Sequence, residues 1–518
     1  MKMKLSGPRT NREGEGAVME GGGAGDSIQP PAPSGNGIVG VGGQAGITGS
    51  EEQEAIWLEM AGGKGHVMVN AVAGSGKTYT LLEGAKRVIA ADRQARVMYL
   101  AFNKSVQMEM RERAGGTVDA VTFHSLGLGA IRREFRDVRV NDKRMWQVVE
   151  GMRRWSGREQ VCKAGVVRLA GLAKQYGVAG KQELEQMVDR HGLDLGRWEE
   201  EVVKLVPEAL ELAKKVDGEV DFNDMVWLPQ ALGLEMPQVD LLLCDESQDL
   251  NPVQQWMAME SGQRLVIVGD PAQAIYGFRG ADINSMANMA GGLTARDGQV
   301  REMGLTFTRR CPKSHVELAR KIVPQIQAMP EAEEGVVGHV ALEGVGGALD
   351  KAGDGDMMLC RVNAPLIETA YKLIGAGKKA AVVGREIAEG VLKLLGTDGG
   401  DIRSALLTAR AKTEQDVGRF LAMPDGKGEA RAAAAQDRMS CLVAAAQGCQ
   451  TTAQLRAKLE SIFAPSVGGI KLGTVHKLKG AEADRVFVLH PELLPHPMAR
   501  KEWEKQQEMN CRYVALTR

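Results

Sequence analysis

From Glu51 onward, short apolar runs alternate with longer stretches of helical periodicity. His66–Asn70, Arg96–Phe102, Val239–Asp245 and Arg264–Asp270 make one group of such runs, and Asp356–Arg361, Ile470–Val475 and Asp484–His490 make a second. Runs this short and this continuously apolar fit strands buried on both faces. The helical spacers between them fit crossover helices, so the pattern predicts parallel sheets covered by helices. Two groups of strands predict two α/β units. Residues 130–215, with amphipathic segments such as Val202–Lys215, and residues 366–467, rich in Ala, Leu, Lys and Glu, are predicted helical insertions. Gly291-Gly292 is the predicted hinge between the units. Residues 1–46 are crowded with Gly, Pro and Ser and nearly lack apolar periodicity. They bury too little surface to offset ordering entropy, which predicts a disordered tail.

Composition narrows the function classes. The chain has 518 residues, 44% hydrophobic and 25% charged, which excludes wholesale disorder and leaves room for roughly three or four domains. Lys and Arg number 65 against 66 Asp and Glu, so a uniformly basic nucleic-acid coat is excluded while a local basic groove is not. No apolar run is long enough to span a bilayer, and no signal-peptide core opens the chain. Seven cysteines stand singly without a C-x-x-C pair, which suits a reducing compartment and offers no zinc framework. The expected setting is the cytoplasm of a bacterial or phage-infected cell, or the nucleus of a eukaryote.

Chemistry enters at Ala71-Val72-Ala73-Gly74-Ser75-Gly76-Lys77-Thr78, between a predicted strand and a helix beginning near Lys77. Small residues let the backbone wrap a polyphosphate, and N–H groups at the helix start point toward it. Lys77 would reach the β- and γ-phosphates and the Thr78 hydroxyl would hold Mg²⁺. The bland alternative is an ordinary Gly-rich turn. At the end of another apolar run, Leu241-Leu242-Leu243-Cys244-Asp245-Glu246 supplies a metal carboxylate, Asp245, and a general base for water, Glu246. Two acids at a strand end also suit a solvated turn. The phosphate loop favours catalysis, because ligands of such sheets sit at the carboxyl ends of the strands.

Read with several further segments in order, these residues resemble the superfamily 1 DNA helicases of the UvrD/Rep type, with the F-box and phage members of that branch especially similar. Gln53 in Gly49-Ser50-Glu51-Glu52-Gln53 matches the adenine-reading Q motif, and the nucleotide site is expected to take in Ala73, Gly74, Ser75, Gly76, Lys77, Thr78 and Tyr79. Phe102-Asn103-Lys104 and Thr122-Phe123-His124-Ser125 look like the single-strand contact motifs, and Asp221-Phe222-Asn223-Asp224 like the acidic segment ahead of the carboxylate strand. In Gly269–Ala281 the resemblance makes Gln273 a γ-phosphate sensor and Tyr276 and Phe278 stacking residues, with Arg279 meeting either a phosphate or the metal-site carboxylates. Arg310 and Arg518 take the arginine-finger positions, and Arg309 stands where an adenine-stacking aromatic is usual. In Thr474–Glu482, Thr474 and His476 would meet DNA and Glu482 the ribose.

The resemblance implies two RecA-like P-loop NTPase domains with parallel sheets, each carrying a helical insertion. Residues 47–129 and 216–295 would form the first domain around the insertion 130–215. Residues 296–365 and 468–518 would form the second around a short insertion 366–467. The implied activity is an ATP- and Mg²⁺-dependent helicase translocating 3′ to 5′ on single-stranded DNA and at DNA junctions, as a monomer, in replication, repair or recombination. A protein loading partner is left open. The alternatives are a translocase that strips proteins from DNA, in keeping with the short second insertion, and a nucleotide-dependent DNA-binding scaffold with weak ATPase. The strand that follows the last motif in the family has no counterpart before Arg518, which implies a fragment or an incompletely closed second domain. Trp256 is expected in the core, and Arg132, Arg133, Arg136, Arg153 and Arg154 either line duplex DNA or form solvated faces.

Overall fold

The computed structural model describes residues 49–153, 155–277, 284–395, 401–423, 428–463, 468–497, 499 and 501–518. The expected tail 1–46, together with Arg154, Phe278 and Arg279, lies outside them. In chain order the strands are β1 His66–Ala71, β2 Val97–Ala101, β3 Asp119–Thr122, β4 Arg139–Val140, β5 Glu219–Val220, β6 Val239–Cys244, β7 Gly262–Gly269, β8 Val300–Leu305, β9 Phe307–Thr308, β10 Gln327–Ala328, β11 Met357–Cys360, β12 Ala380–Val382, β13 Ile470–Thr474 and β14 Val486–Val488.

Six strands form one parallel sheet in the order β3-β2-β6-β7-β1-β8. Its strands alternate between two cores. Val67, Val69, Val97, Tyr99, Leu241, Leu243, Val266 and Val268 face one layer. Met68, Met98, Leu100, Leu242, Cys244, Leu265 and Ile267 face the other. Period-two alternation in which both faces are apolar is what a continuous run produces when helices cover both sides. Trp256, in helix Pro252–Ser261, packs against the second of these layers, in line with a core role. A second parallel sheet runs β12-β13-β11-β14, with Met358 and Cys360 on one face and Met357 and Leu359 on the other. The α/β architecture with two parallel sheets follows the predicted fold class.

The structure differs from the sequence reading at three places. β8, inside the stretch 296–365 assigned to the second domain, is the edge strand of the first sheet, paired in parallel with β1. β12, inside the stretch 366–467 assigned to an insertion, is the edge strand of the second sheet, paired with β13. Both are edge strands: β8 is interrupted by Arg301 and Glu302, and β12 is only three residues long and follows Lys378 and Lys379, so neither carries the longer apolar run that marked the central strands. Gly291 and Gly292 do not form a hinge, because they lie inside helix Ser285–Asp297. Met289 and Leu293 bury its apolar side, and that packing outweighs the helix cost of glycine.

Most of the buried apolar residues between Ile131 and Leu228 share one core and build a helical body, while Phe123, Leu126, Ala130 and Val226 pack on the first sheet. Helix Glu199–Ala213 buries Val202, Val203, Leu205, Val206, Ala209, Leu210 and Ala213, the stripe that 3.6-residue spacing requires. At its centre is a buried ionic cluster. Asp221 caps helix Phe222–Ala231 through Asp224 N, and Asp224 Oδ2 accepts from Asp221 N in return. Lys174 Nζ reaches Asp221 at 3.0 Å and Asp224 at 2.7 Å, and Arg144 pairs with Asp224. The acidic segment 221–224 therefore anchors this helical body. Arg132 and Arg133 donate to the Val138 and Glu235 carbonyls, and Arg153 pairs with Glu159 and Glu201, so these cations serve local structure.

Lys174 is 1% exposed. Removing one partner of a buried ionic cluster strands the others, at a cost of about 3–5 kcal/mol. Lys174→Met should lower the unfolding free energy by about that amount in urea titrations. A loss under about 1 kcal/mol would mean that Arg144 and the backbone satisfy both carboxylates by themselves.

Candidate active site

All six strands of the first sheet are parallel, so β1, β2, β3, β6 and β7 deliver their following residues to one edge. From β1 the chain turns through Val72–Gly76 into helix Lys77–Ala91. Gly74 and Gly76 hold φ of +70° and +83°, a left-handed region that costs a side-chain-bearing residue energy. No side chain caps this helix, which leaves its first N–H groups facing the loop's concave side. Ser75 Oγ is buried without a hydrogen-bond partner, and so is Arg310 Nε. Two orphaned polar groups beside an uncapped helix start fit an anionic ligand such as a nucleotide polyphosphate.

β6 ends at this edge. Asp245 Oδ2 accepts from Thr78 Oγ1 at 2.9 Å and Tyr99 Oη at 2.7 Å, and its Oδ1 accepts from Glu246 N at 2.8 Å. Burial, and then the adjacent Glu246 charge, push the Asp245 carboxyl above its ordinary value. A carboxylate and a hydroxyl on one oxygen-rich spot, with a carboxyl short of positive charge, fit Mg²⁺. Glu246 takes φ of +51°, strain of a kind that collects at functional positions. Burial opposes its ionisation, yet the charges of Lys77 and Lys479 and a hydrogen bond from Gln248 bring it down to about 2. Glu246 is thus a carboxylate, with Lys77 Nζ 3.9 Å away.

The other side of the seam comes from the chain after β8. Arg309 N donates to Gly74 O at 2.8 Å, and Arg310 packs so closely on the loop that a Cβ at Gly74 would meet its own Cβ at 2.5 Å. Arg310 pairs with Glu482. Arg518, 9% exposed, donates to Gln273 Oε1 at 3.4 Å. Burial, and then the charge of Arg310, lower its guanidinium to about 10. The structure therefore brings Lys77, Gln273, Arg310, Arg518 and Glu482 to the phosphate loop and the Asp245–Glu246 pair.

Sequence reasoning assigned no role to Tyr99, Asp249, Asp270, Lys479 or Tyr513, which the structure adds. Lys479 donates to Asp249 and to Gln273 O at 2.7 Å, and it lies 4.8 Å from the Tyr276 ring centre. Tyr513 Oη accepts from Ala73 N at 3.0 Å. Asp270 and Lys479 stand inside segments already singled out, but nothing in their spacing names their partners.

On the base side, Gln53 is 2% exposed. Its Nε2 donates to Thr80 Oγ1 at 2.9 Å, and its Oε1 accepts from Ser50 N at 3.1 Å and Arg309 at 3.4 Å. Tyr79 lies edge-on to Trp57, with ring centres 6.1 Å apart. Glu482, on the same side of the seam as its partner Arg310, has about half its side chain exposed.

The strand-contact candidates fall into two groups. Phe102 and Asn103 follow β2, and Thr122 and His124 follow or end β3, at the edge shared with the phosphate loop. Phe102 is 39% exposed. Asn103 and Thr122 cap the helices that follow them. His124 lies edge-on to Phe222, a half-exposed ring that sequence reasoning passed over, and burial lowers the His124 pKa. Across the seam, Tyr276 Oη donates to His476 O at 3.0 Å, His476 Nε2 meets Cys511 Sγ at 3.3 Å, and Thr474 Oγ1 accepts from Lys477 N. Among the described residues no three His, Cys, Asp or Glu side chains cluster as a metal site, and no helix is long and apolar enough to cross a membrane.

Residues 50–292 match the UvrD/REP helicase N-terminal domain, and residues 449–518 match the UvrD-like helicase C-terminal domain. The chain is 24% identical over 305 residues to ATP-dependent DNA helicase PcrA of Leuconostoc citreum, covering 53% of this chain and 37% of that protein. It is 25% identical over 258 residues to DNA helicase II of Escherichia coli (46% and 35%), and 28% identical over 232 residues to F-box DNA helicase 1 of Gallus gallus (42% and 22%). The chain spans about a third or less of the length of these relatives.

Asp249 gives the site a measurable signature. Burial, partly offset by Lys479, raises its carboxyl from 3.8 to about 6. The folded state then holds this proton more tightly than the unfolded one, so the contribution to stability is complete below about pH 4 and is lost as pH rises through about 6. Relative to Asp249→Asn, the wild type should lose on the order of 2–3 kcal/mol of unfolding free energy between about pH 4 and pH 7. A difference that does not vary with pH would mean that Asp249 stays ionised throughout.

Proposed function

The chain belongs to the UvrD/Rep-like superfamily 1 helicases, and on that premise we propose that it is an ATP- and Mg²⁺-dependent DNA helicase that translocates 3′ to 5′ on single-stranded DNA, acting in replication, repair or recombination. The observation that carries this reading is the meeting, at one seam, of the Lys77 loop and Glu246 with Arg310 and Arg518 from the far side. One chain supplies both halves, so a monomer suffices.

In the proposed reaction the Lys77 loop holds the phosphates through its backbone N–H groups and the lysine. Thr78 and Asp245 would hold Mg²⁺, which when bound neutralises phosphate oxygens. Glu246, ionised across the working pH range, takes a proton from the attacking water. Negative charge gathers on the γ-phosphoryl oxygens during transfer, and Arg310 and Arg518 lie on the side that would meet it. An arginine so placed contributes about 10³–10⁵ in rate. Both arginines come from the opposite side of the seam, so hydrolysis depends on closure and changes on product release.

The proposed track begins at the ends of β2 and β3, where Phe102 and the Phe222–His124 pair offer flat faces for bases and Asn103 and Thr122 lie beside them. The track thus shares an edge with the phosphate loop, and movement of the seam is movement of the strand's footing. Tyr276, Thr474 and His476 would carry the second foothold, and Gln273, between Asp270 and Arg518, would report the nucleotide to it.

ATP hydrolysis should rise severalfold or more with single-stranded DNA, and a duplex with a 3′ tail should be opened in preference to one with a 5′ tail. Equal rates with and without DNA would replace the motor with a nucleotide-dependent binder. Glu246→Gln should lower kcat by about 10²–10⁴ while nucleotide affinity holds, because a positioned base contributes that much. Undiminished turnover would take Glu246 out of the base role. Single-strand affinity should fall by about 0.7 log units per contacted phosphate for each log of salt.

A further inference from the structure

We propose that Tyr513 is a positioning residue that ties the phosphate loop to the placement of Arg518, through Asp270 and Gln273. The inference rests on the nucleotide-splitting role proposed above and assigns a task within it to a fully buried side chain.

Tyr513 is 0% exposed, and its hydroxyl accepts from Ala73 N across 440 positions of sequence. Ala73 lies in the turn that would close on a polyphosphate. The Asp270 carboxylate lies against the same hydroxyl. A phenol has one proton to give, and with its oxygen engaged by Ala73 N–H the neighbouring Asp270 carboxylate is the group placed to take it. Asp270 Oδ2 accepts from Gln273 Nε2 at 2.8 Å, and Gln273 Oε1 accepts from Arg518 at 3.4 Å. The relay therefore begins and ends on one helical segment, Glu502–Leu516 and the two residues after it.

The surroundings keep this relay stiff. Asn510, one turn ahead of Tyr513, donates to Pro271 O at 3.2 Å and Ala274 O at 3.0 Å, so the loop carrying Asp270 and Gln273 is held to the helix on both flanks. Val72, Ala73 and the Tyr513 ring share one apolar cluster with Cys311, Val316 and Ile326. Water has no entry there to replace a lost bond, and a displaced Ala73 must either carry the phenol with it or leave a buried N–H unpaired. Phosphate binding at the loop and the position of Arg518 are thereby made interdependent. Tyr513→Phe cuts the relay and preserves the ring.

Under saturating oligonucleotide and Mg²⁺, Tyr513→Phe should lower kcat by about 5–30-fold with the KM for ATP within about twofold, the pattern of a group that acts on the reacting arrangement rather than on binding. In a Gln273→Ala background, already cut downstream, the same change should cost less than about twofold. Equal losses in both backgrounds, or an effect confined to KM, would assign Tyr513 to packing and overturn the proposal. Amide exchange across residues 71–78 without nucleotide should quicken about tenfold in Tyr513→Phe, matching one lost hydrogen bond. Unchanged exchange also overturns it. Asp270→Asn supplies a second cut for the case in which the phenylalanine variant does not fold. It should reproduce the kcat loss, and normal turnover in it refutes the relay. The exchange measurement needs no catalysis, so a wild type that split no ATP would defeat the motor reading, and exchange would still decide whether the tie exists.

Discussion

The phosphate loop is held from both sides of the seam, and the rest of the site depends on that grip. Val72 N donates to Leu305 O, Arg309 N to Gly74 O, and Ala73 N to Tyr513 Oη, so the stretch 305–309 and the last helix together fix a turn that has no side-chain cap of its own. Each bond contributes only about 0.5–1.5 kcal/mol net, but those of Val72 and Ala73 are buried, and breaking either leaves an unpaired group in the interior. Gly74 is where this grip meets steric limits. With Arg310 Cβ 2.5 Å from where a side chain would begin, the loop and the arginine segment can approach this closely only through glycine.

That grip sets the electrostatics. Lys77, Lys479, Arg310 and Arg518 crowd the same volume as Asp245, Glu246, Asp249 and Asp270, and the carboxyls respond in opposite directions. Glu246 falls to about 2 because two lysines and Gln248 outweigh its burial, whereas Asp245, Asp249 and Asp270 rise because burial outweighs their partners. Adjacent acids with environments that split their pKa values divide the work, one remaining a base while the other waits for a cation. Arg518, brought down to about 10 by burial and by Arg310, is a cation short of negative charge. Under the proposed function, a triphosphate would supply what these cations lack.

How much of this the sequence discloses depends on distance along the chain. The central strands were legible because each apolar run feeds two cores at once, Val67 and Val69 on one face and Met68 on the other. β3, β8 and β12 were not, since Asp119, Arg301, Glu302 and the neighbourhood of Lys378 and Lys379 break the apolar run at sheet edges. The phosphate loop and the Asp245–Glu246 pair were legible because strand, turn and helix signals sit side by side. Lys479 meeting Asp249, or Tyr513 meeting Ala73, joins residues 230 and 440 positions apart, and no local pattern carries such a pairing. The buried Lys174 cluster was hidden for the same reason, since Asp221-Phe222-Asn223-Asp224 reads as a polar turn until the lysine from another helix arrives.

The base side of the site follows a different logic from the phosphate side. The Gln53 side-chain amide is held by Ser50, Thr80 and Arg309, and Thr80 Oγ1 passes the connection on to Gly76 O. The glutamine thus braces the first turn of the helix that begins at Lys77. Turning it toward a purine would expose a buried amide and unpair Thr80, a cost of the order of the bonds it would gain. Arg309 stands where a ring would otherwise give the base a flat apolar face, and its guanidinium is already turned toward Gln53. By contrast, Ser75 Oγ and Arg310 Nε are left without partners on the phosphate side. Polar groups satisfied within the protein add little to ligand affinity, and unsatisfied ones add most. Under the proposed function, this arrangement would place the free energy of nucleotide capture on the phosphates, where hydrolysis changes the ligand, and would make closure of the seam sensitive to whether the third phosphate is still attached.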